Sequence, residues 1–222
     1  MKKIILSFAL LFASVAQAYS YDYQRVSLED AFTDSFYYME TEGTTHPDKL
    51  WAGATVNYDA VPPSIDGTEF TRTYLKFDLT DISNIDSAYL WLYRVKDSWG
   101  YNDPDEGDIA VYRETEDWNE STITWNNAPD FSNNTKGNTT YIDMPEGGWV
   151  SWNVSSFAKQ TEGGNLSLVL AGSDPFHIFD SSVSSDHKPF LGINVVPEPV
   201  SMLLFGVGGA VMVFAKRKKQ RS

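Results

Sequence analysis

The 222-residue chain contains no cysteine. Disulfides, thiolate metal sites and cysteine nucleophiles are therefore all excluded. Histidine is nearly as scarce: His46, His177 and His187 sit in loop-like stretches, and none belongs to a recognisable metal or nucleophile motif. Basic residues are few once the ends are set aside. Without Lys2, Lys3, the five basic residues after Ala215, and Glu198, there remain 10 basic and 29 acidic residues, a net charge of −19. Such a surface repels phosphate backbones and argues against a nucleic-acid partner. A helical apolar period is nearly absent between Tyr19 and Val195, and no unit recurs at a fixed spacing, which excludes a helical bundle or a repeat array.

Long apolar runs occur only at the two ends. Met1-Lys2-Lys3 is followed by the apolar stretch Ile4 to Phe12 and then by Ala16-Gln17-Ala18. Basic start, short apolar run and small-x-small site, in that order, read as a signal peptide over 1–18, cut by signal peptidase so that the mature chain starts at Tyr19. At the other end, Pro197-Glu198-Pro199 precedes the uncharged run Val200 to Ala215 and the cluster Lys216-Arg217-Lys218-Lys219 with Arg221. Sixteen residues make a helix of about 24 Å, short of a hydrocarbon layer of about 30 Å but able to span it where flanking basic side chains snorkel. Basic flanks stay cytoplasmic, so residues 19–196 lie outside. On physical grounds alone the segment reads equally as a permanent single-pass anchor.

The order Pro-Glu-Pro, Gly-bearing apolar helix, basic end over residues 197–222 resembles the PEP-CTERM sorting signal of Gram-negative bacteria. The resemblance implies that an exosortase-type membrane protease reads and removes the tail. The chain would then be an inner-membrane sorting intermediate before it reaches the cell surface or the extracellular matrix, in a host that makes extracellular polysaccharide.

Residues 19–196 suit one acidic domain with a full core. Short alternating runs bounded by Gly, Pro, Asn and Asp recur along it, the pattern of an all-β sandwich or jelly roll. Thr73 to Leu79 places Thr73, Leu75, Phe77 and Leu79 on one face, toward the core. Further strands are expected at Ala88 to Val95, Ile109 to Arg113, Trp149 to Val154, Leu166 to Ala171 and Leu191 to Val195. The stretch Asn126 to Lys136, rich in Asn, Pro and Asp, reads as a loop.

Four pieces in this order resemble the DNRLRE-type β-sandwich domain, a relative of carbohydrate-binding modules. They are Arg72-Thr73-Tyr74-Leu75-Lys76-Phe77-Asp78-Leu79; Ser87-Ala88-Tyr89-Leu90-Trp91-Leu92-Tyr93; Val111-Tyr112-Arg113 leading to Trp118-Asn119-Glu120-Ser121-Thr122-Ile123-Thr124-Trp125-Asn126-Asn127-Ala128-Pro129; and Ser181-Ser182 leading to Pro189-Phe190-Leu191-Gly192-Ile193. Within the third piece Glu120 is expected to order the turn, with Trp118 and Trp125 as core or corner residues. Asn153 stands where that family usually carries Asp.

The strand Ala88-Tyr89-Leu90-Trp91-Leu92-Tyr93 is apolar on both faces. With Ala88, Leu90 and Leu92 inward, Tyr89, Trp91 and Tyr93 form an outward row about 13 Å long, because same-face neighbours lie about 6.6 Å apart. Such a row is either a platform on which sugar rings stack or the underside of a cover made by a loop or the early segment. Trp99 and Tyr101, in a Gly-, Asn- and Asp-rich loop, are the next ligand-contact candidates. Asp103, Asp105 and Asp108 supply oxygens suited to Ca²⁺, though not at EF-hand spacing; a solvated acidic loop is the alternative. No cofactor is required, and a structural Ca²⁺ is the one candidate ion. No catalytic motif is present, and the leading expectation is a non-catalytic surface or matrix protein whose partner is extracellular polysaccharide. Its rivals are a structural matrix subunit with protein–protein contacts and a glycosidase or lyase.

Overall fold

The computed structural model describes residues 21–35, 48–56, 68–95, 106–143, 147–172, 177–184 and 186–197. Among them run eleven strands: β1 Tyr23–Val26, β2 Glu29–Asp34, β3 Lys49–Val56, β4 Thr68–Asp78, β5 Ile85–Arg94, β6 Glu106–Glu114, β7 Lys136–Asp143, β8 Gly148–Asn153, β9 Asn165–Gly172, β10 His177–Asp180 and β11 Phe190–Val195. One short helix, α1 Ser155–Gln160, follows β8. The expected signal peptide, the apolar helix after Pro199, Glu198, Pro199, Trp99, Tyr101, Asp103, Asp105 and His46 lie outside the described residues.

The strands pair antiparallel into two layers. The first runs β1-β11-β5-β8, the second β2-β4-β9-β6-β7. Strand β3 belongs to both: its first half pairs with β10, beside β5, and its second half with β4. The change of layer falls at Gly53, whose φ of +129° is a conformation that side-chain-bearing residues rarely adopt. The all-β sandwich expected from the alternating runs is therefore the fold.

Alternation decides what lies between the layers. Leu75, Phe77 and Leu79 from β4 and its end meet Leu166, Leu168 and Leu170 of β9, Ile109 and Val111 of β6, and Ala88, Leu90 and Leu92 of β5. All of these are buried, as is Thr73, whose hydroxyl donates to the Trp51 carbonyl at 2.8 Å. Trp152, with no exposed surface, ties the layers together by donating its indole N–H to the Ile109 carbonyl at 2.8 Å. Helix α1 closes one end with Phe157 and Ala158. Its first turn is fixed by Asn153, whose Oδ1 accepts from the Ser155 backbone at 3.0 Å and its hydroxyl at 2.7 Å. Asn153 thus makes an Asx-turn that leads the chain from β8 into the helix.

The outer face of the second layer is partly roofed. Ala31, Tyr74 and Val169 lie under Trp118 and Ile123, with Ala128 and Phe131 packed alongside. Lys76 pins this roof by pairing with Asp117 at 3.1 Å and Glu29 at 3.4 Å and donating to the Trp118 carbonyl. The Trp118 indole donates to Ser167 at 2.8 Å, and the Arg72 guanidinium lies 3.9 Å over the Trp125 ring. Trp118 is core and Trp125 is a half-buried corner residue, as expected.

The turn between them is ordered by asparagine, not by Glu120. Asn119 accepts from the Ser121 backbone at 3.0 Å, while Asn127 accepts from the Thr124 backbone at 2.6 Å and donates to the Thr122 carbonyl at 2.9 Å. Short amides satisfy nearby backbone groups better than a longer carboxylate. Glu120 contributes its backbone N–H, to Glu29 at 3.2 Å; burial, then the charges of Asp30 and Glu29, push its carboxyl above the usual range. A second correction concerns His177: it lies in strand β10 and is buried, not looped.

Candidate functional site

The outer face of the first layer carries the expected row. With Ala88, Leu90 and Leu92 committed to the core, Tyr89, Trp91 and Tyr93 point the other way. Pairing then sets neighbours beside them. Across β11, Phe190 is opposite Trp91 and Gly192 opposite Tyr89; across β8, Trp149 is opposite Tyr93, Ser151 opposite Trp91 and Asn153 opposite Tyr89. Residues directly opposite on antiparallel strands share a face.

The result is a connected sheet of rings. Trp91 and Phe190 stack with centroids 6.1 Å apart and planes within 8°. Trp149 meets Phe190 edge-on at 5.3 Å and Tyr93 edge-on at 5.5 Å. The His187 imidazole stacks on Tyr93 at 3.7 Å, 8° from parallel. At the other end the Tyr21 hydroxyl accepts the Trp91 indole N–H at 2.8 Å, and its ring lies 6.5 Å from that of Tyr89. Edge-to-face and offset contacts of this kind are the arrangements that ring quadrupoles favour.

The row is partly covered and partly open to solvent. Trp91 is 8% exposed, enclosed by Tyr21 and Phe190, whereas Trp149 is 38% exposed and Tyr89, Tyr93, Phe190 and His187 are half-buried. Tyr21 packs so closely because residue 192 is glycine: a Cβ there would meet the Tyr21 ring at 2.5 Å. Polar groups rim the rings. Ser151 and Asn153 flank them on β8; on the opposite side Asn194 donates to the Ser87 hydroxyl at 3.1 Å. His187 is held at its Nδ1 by Asp180 at 3.2 Å, and Asp180 also pairs with Lys49 at 3.0 Å.

Of the candidates read from the sequence, the fold brings Tyr89, Trp91 and Tyr93 onto this face. Asp108 lies elsewhere, on β6 in the second layer. Pro197 follows the end of β11 after one residue, Val196. The additional rings come from three separate stretches: Tyr21, Trp149, and His187 with Phe190. Alternation in β8 and β11 marks Trp149 and Phe190 as outward, but nothing local says that both strands flank β5.

Among the described residues, no three His, Asp or Glu gather as a metal site. Several buried carboxylates serve the fold. Glu114 accepts from the Thr115 and Glu116 backbones at 2.7 and 2.8 Å and from Asn134 at 2.9 Å. Asp30 accepts from Ser27 at 2.9 Å and from the Ser182 backbone and hydroxyl at 2.8 and 3.0 Å. Burial raises the Asp30 pKa, against the lowering effect of those hydrogen bonds and of Lys188.

Comparison with known proteins gives two family matches. Carbohydrate-binding module family 96 matches residues 27–195, and the PEP-CTERM protein-sorting motif matches residues 195–219. No curated protein matches the chain. Among solved structures, an exo-β-1,3-galactanase from Phanerochaete chrysosporium, crystallised with β-1,3-galactotriose, aligns at 13% identity with a TM-score of 0.23. The alignment covers 68% of this chain and 29% of that one, so the chain spans under a third of that enzyme's length. A likeness of that size carries no argument about activity.

Proposed function

Because the chain belongs to carbohydrate-binding module family 96, we propose that it is a non-catalytic matrix protein holding extracellular polysaccharide on the aromatic face of its first layer. The PEP-CTERM motif marks it as an exported protein sorted through the membrane to the cell surface. The finer route belongs to the proposal: signal peptidase cuts after Ala18, and an exosortase-type protease removes the tail in the inner membrane of a Gram-negative bacterium.

One observation carries this reading: a continuous set of rings, partly open to solvent, lies on a sheet face whose polar rim points the same way. Sugar rings present apolar C–H faces that lose water on stacking against such rings, while their hydroxyls reach the rim. Tyr89, Trp91 and Tyr93 form the spine, and Trp149, Phe190 and His187 widen it. Trp99 and Tyr101 remain proposed contacts. Trp91 acts mainly as the buried floor that orients its neighbours, and the more exposed Trp149 makes the larger contact. Affinity per site is modest, because a shallow face buries only one side of each sugar.

The test is electrophoresis of the protein through gels containing the producing cells' own polysaccharide. Wild type is slowed, and Trp149→Ala and Tyr93→Ala reduce the slowing. Mobility equal to an inert control removes the binding reading and leaves a structural subunit with protein contacts. Release of reducing ends or unsaturated products from the same polysaccharide shows an enzyme instead.

A further inference from the structure

The roof over the second layer stops short. It covers Tyr74 and Val169 and ends against Tyr112, where Phe131 meets the Tyr112 ring edge-on at 4.8 Å. Beyond that line the same sheet face opens into a trough of about 530 Å³. This size falls in the range of small-molecule and sugar sites, about 300–1,000 Å³.

Strand register defines the trough. Ala110 is paired with Ala171 on one side and Thr139 on the other, and Arg72 precedes the Thr73–Leu170 pair, so Arg72, Ala171, Ala110 and Thr139 form one row across four strands. Three inter-strand steps make this row about 14 Å long. Its two alanines lower the floor. One wall is the end of the roof, with Tyr112 and Phe131; the other is Asp108 and Phe70, the latter 43% exposed.

The trough is also chemically equipped. The Arg72 guanidinium lies 3.9 Å from the centroid of the Trp125 ring and 4.7 Å from that of Phe131, and makes no ion pair among the described residues. One of its donors is used on the Tyr74 hydroxyl, and the two rings position the remaining N–H groups beside the trough. Lys136 supplies a second donor and Asp108 an acceptor, with the Thr139 hydroxyl between them. Two cations and one carboxylate around a ring-walled channel suit vicinal hydroxyls, which need donors and acceptors side by side.

We infer that this trough is a second carbohydrate-binding site, and that the protein therefore cross-links two polysaccharide strands, one on each outer face of the sandwich. The inference rests on the proposed reading of the first face. The two sites lie on opposite layers with the core between them, so one strand cannot occupy both without wrapping around the domain. A monomer with two such faces joins strands without oligomerising, and weak single contacts become firm attachment through multivalency.

The experiment uses the full chain purified in detergent, with light scattering showing one copy per micelle, mixed with the polysaccharide purified from the producing cells. Gel retardation reads binding, and the viscosity of the mixture reads cross-linking. Wild type is retarded and raises viscosity several-fold above polysaccharide alone, with the rise falling again when protein is in large excess. Phe70→Ala with Lys136→Ala removes a ring from one wall of the trough and a cation from the other, and Ala171→Trp fills its floor. Each should leave retardation within about twofold, through the first face, but abolish the viscosity rise. Trp149→Ala, on the other face, should also abolish it. An unchanged unfolding midpoint in the Phe70/Lys136 variant keeps the test sound if the tryptophan distorts the strand. Retardation without a viscosity rise in wild type overturns the cross-linking inference alone, as does a rise that survives both trough variants. Absence of retardation in wild type overturns the proposed function and this inference together.

Discussion

Gly192→Ala tests whether the first segment of the mature domain belongs to the aromatic face. The added methyl points outward, away from Leu191 and Ile193 in the core, and would meet Cδ2 and Cε2 of Tyr21 at 2.5 Å. The contact is with ring atoms on a short, strand-tethered segment, so the ring must lift. Lifting it breaks the Tyr21–Trp91 hydrogen bond, a net contribution of about 0.5–1.5 kcal/mol, and the ring contact with Tyr89, about the same again. Against this loss of roughly 1–3 kcal/mol, replacing glycine by alanine stabilises by about 0.4–1 kcal/mol through the unfolded chain. A net loss of about 1–2 kcal/mol lowers the unfolding midpoint by roughly 2–8 °C in a domain of this size. In a Tyr21→Ala background the clash is gone, and Gly192→Ala should become neutral or stabilising. The assay is a double-mutant cycle on thermal midpoints, with gel retardation measured in parallel. Equal destabilisation in both backgrounds, to within the roughly 0.3–0.5 kcal/mol expected of independent sites, refutes the packing of Tyr21 against Gly192.

Further outcomes can be measured independently. Asp30, 3% exposed, has a raised pKa, so the folded state holds its proton more tightly than the unfolded chain, and its contribution falls as pH rises through the window above 3.8. The stability of wild type relative to Asp30→Asn should therefore decline across that window and then level off; a difference that grows with pH contradicts the burial argument. If the acidic stretch containing Asp103, Asp105 and Asp108 holds Ca²⁺, the unfolding midpoint rises with added Ca²⁺ and falls with chelator. No movement with either leaves a solvated loop, and a shift that survives Asp103→Asn with Asp105→Asn places the ion elsewhere. Glu198→Ala leaves the apolar run untouched and should insert normally yet accumulate uncut; mass spectrometry finding Val200 to Ser222 on surface-released wild type would instead identify a permanent anchor.

How much of this was legible in the sequence depended on how local each cause is. The inward set of β4 and the two-faced pattern of β5 are properties of single strands, and alternation revealed both. Strand β7 was hidden because Lys136–Asp143 is polar on both sides, with Ile142 its one fully buried residue. Strand β10 buries all four of its residues and so shows no alternation, which is why His177 read as loop. In β3 the pattern breaks at Gly53, where the strand changes layers. The site followed the same rule. Tyr89, Trp91 and Tyr93 share a strand and were visible together, whereas their partners Trp149, Phe190, His187 and Tyr21 arrive through pairings that no short window contains. Tyr21 is the extreme case, brought in by a strand whose partner residues lie some 170 positions away.

That long-range pairing has a consequence for an exported chain. Strand β1 leaves the membrane first and β11 last, yet Tyr23 pairs with Ile193 and Val26 with Phe190. Contacts of such separation cost the most loop entropy and form late. The second layer closes through nearer pairings, β2 with β4 and β6 with β7, and can assemble while residues beyond Gly172 are still in transit. The first layer cannot, because β11 sits between β1 and β5 and supplies Phe190 to the ring face. β11 ends at Val195, where the sorting motif begins, and the backbone is fastened there: the Val195 N–H donates to Asp22 and the Val196 N–H to the Asn84 carbonyl, both at 2.8 Å. Completion of the aromatic face and exposure of the motif's first residues therefore depend on the same strand. A chain stopped before β11 would retain the trough of the second layer and lack the face of the first.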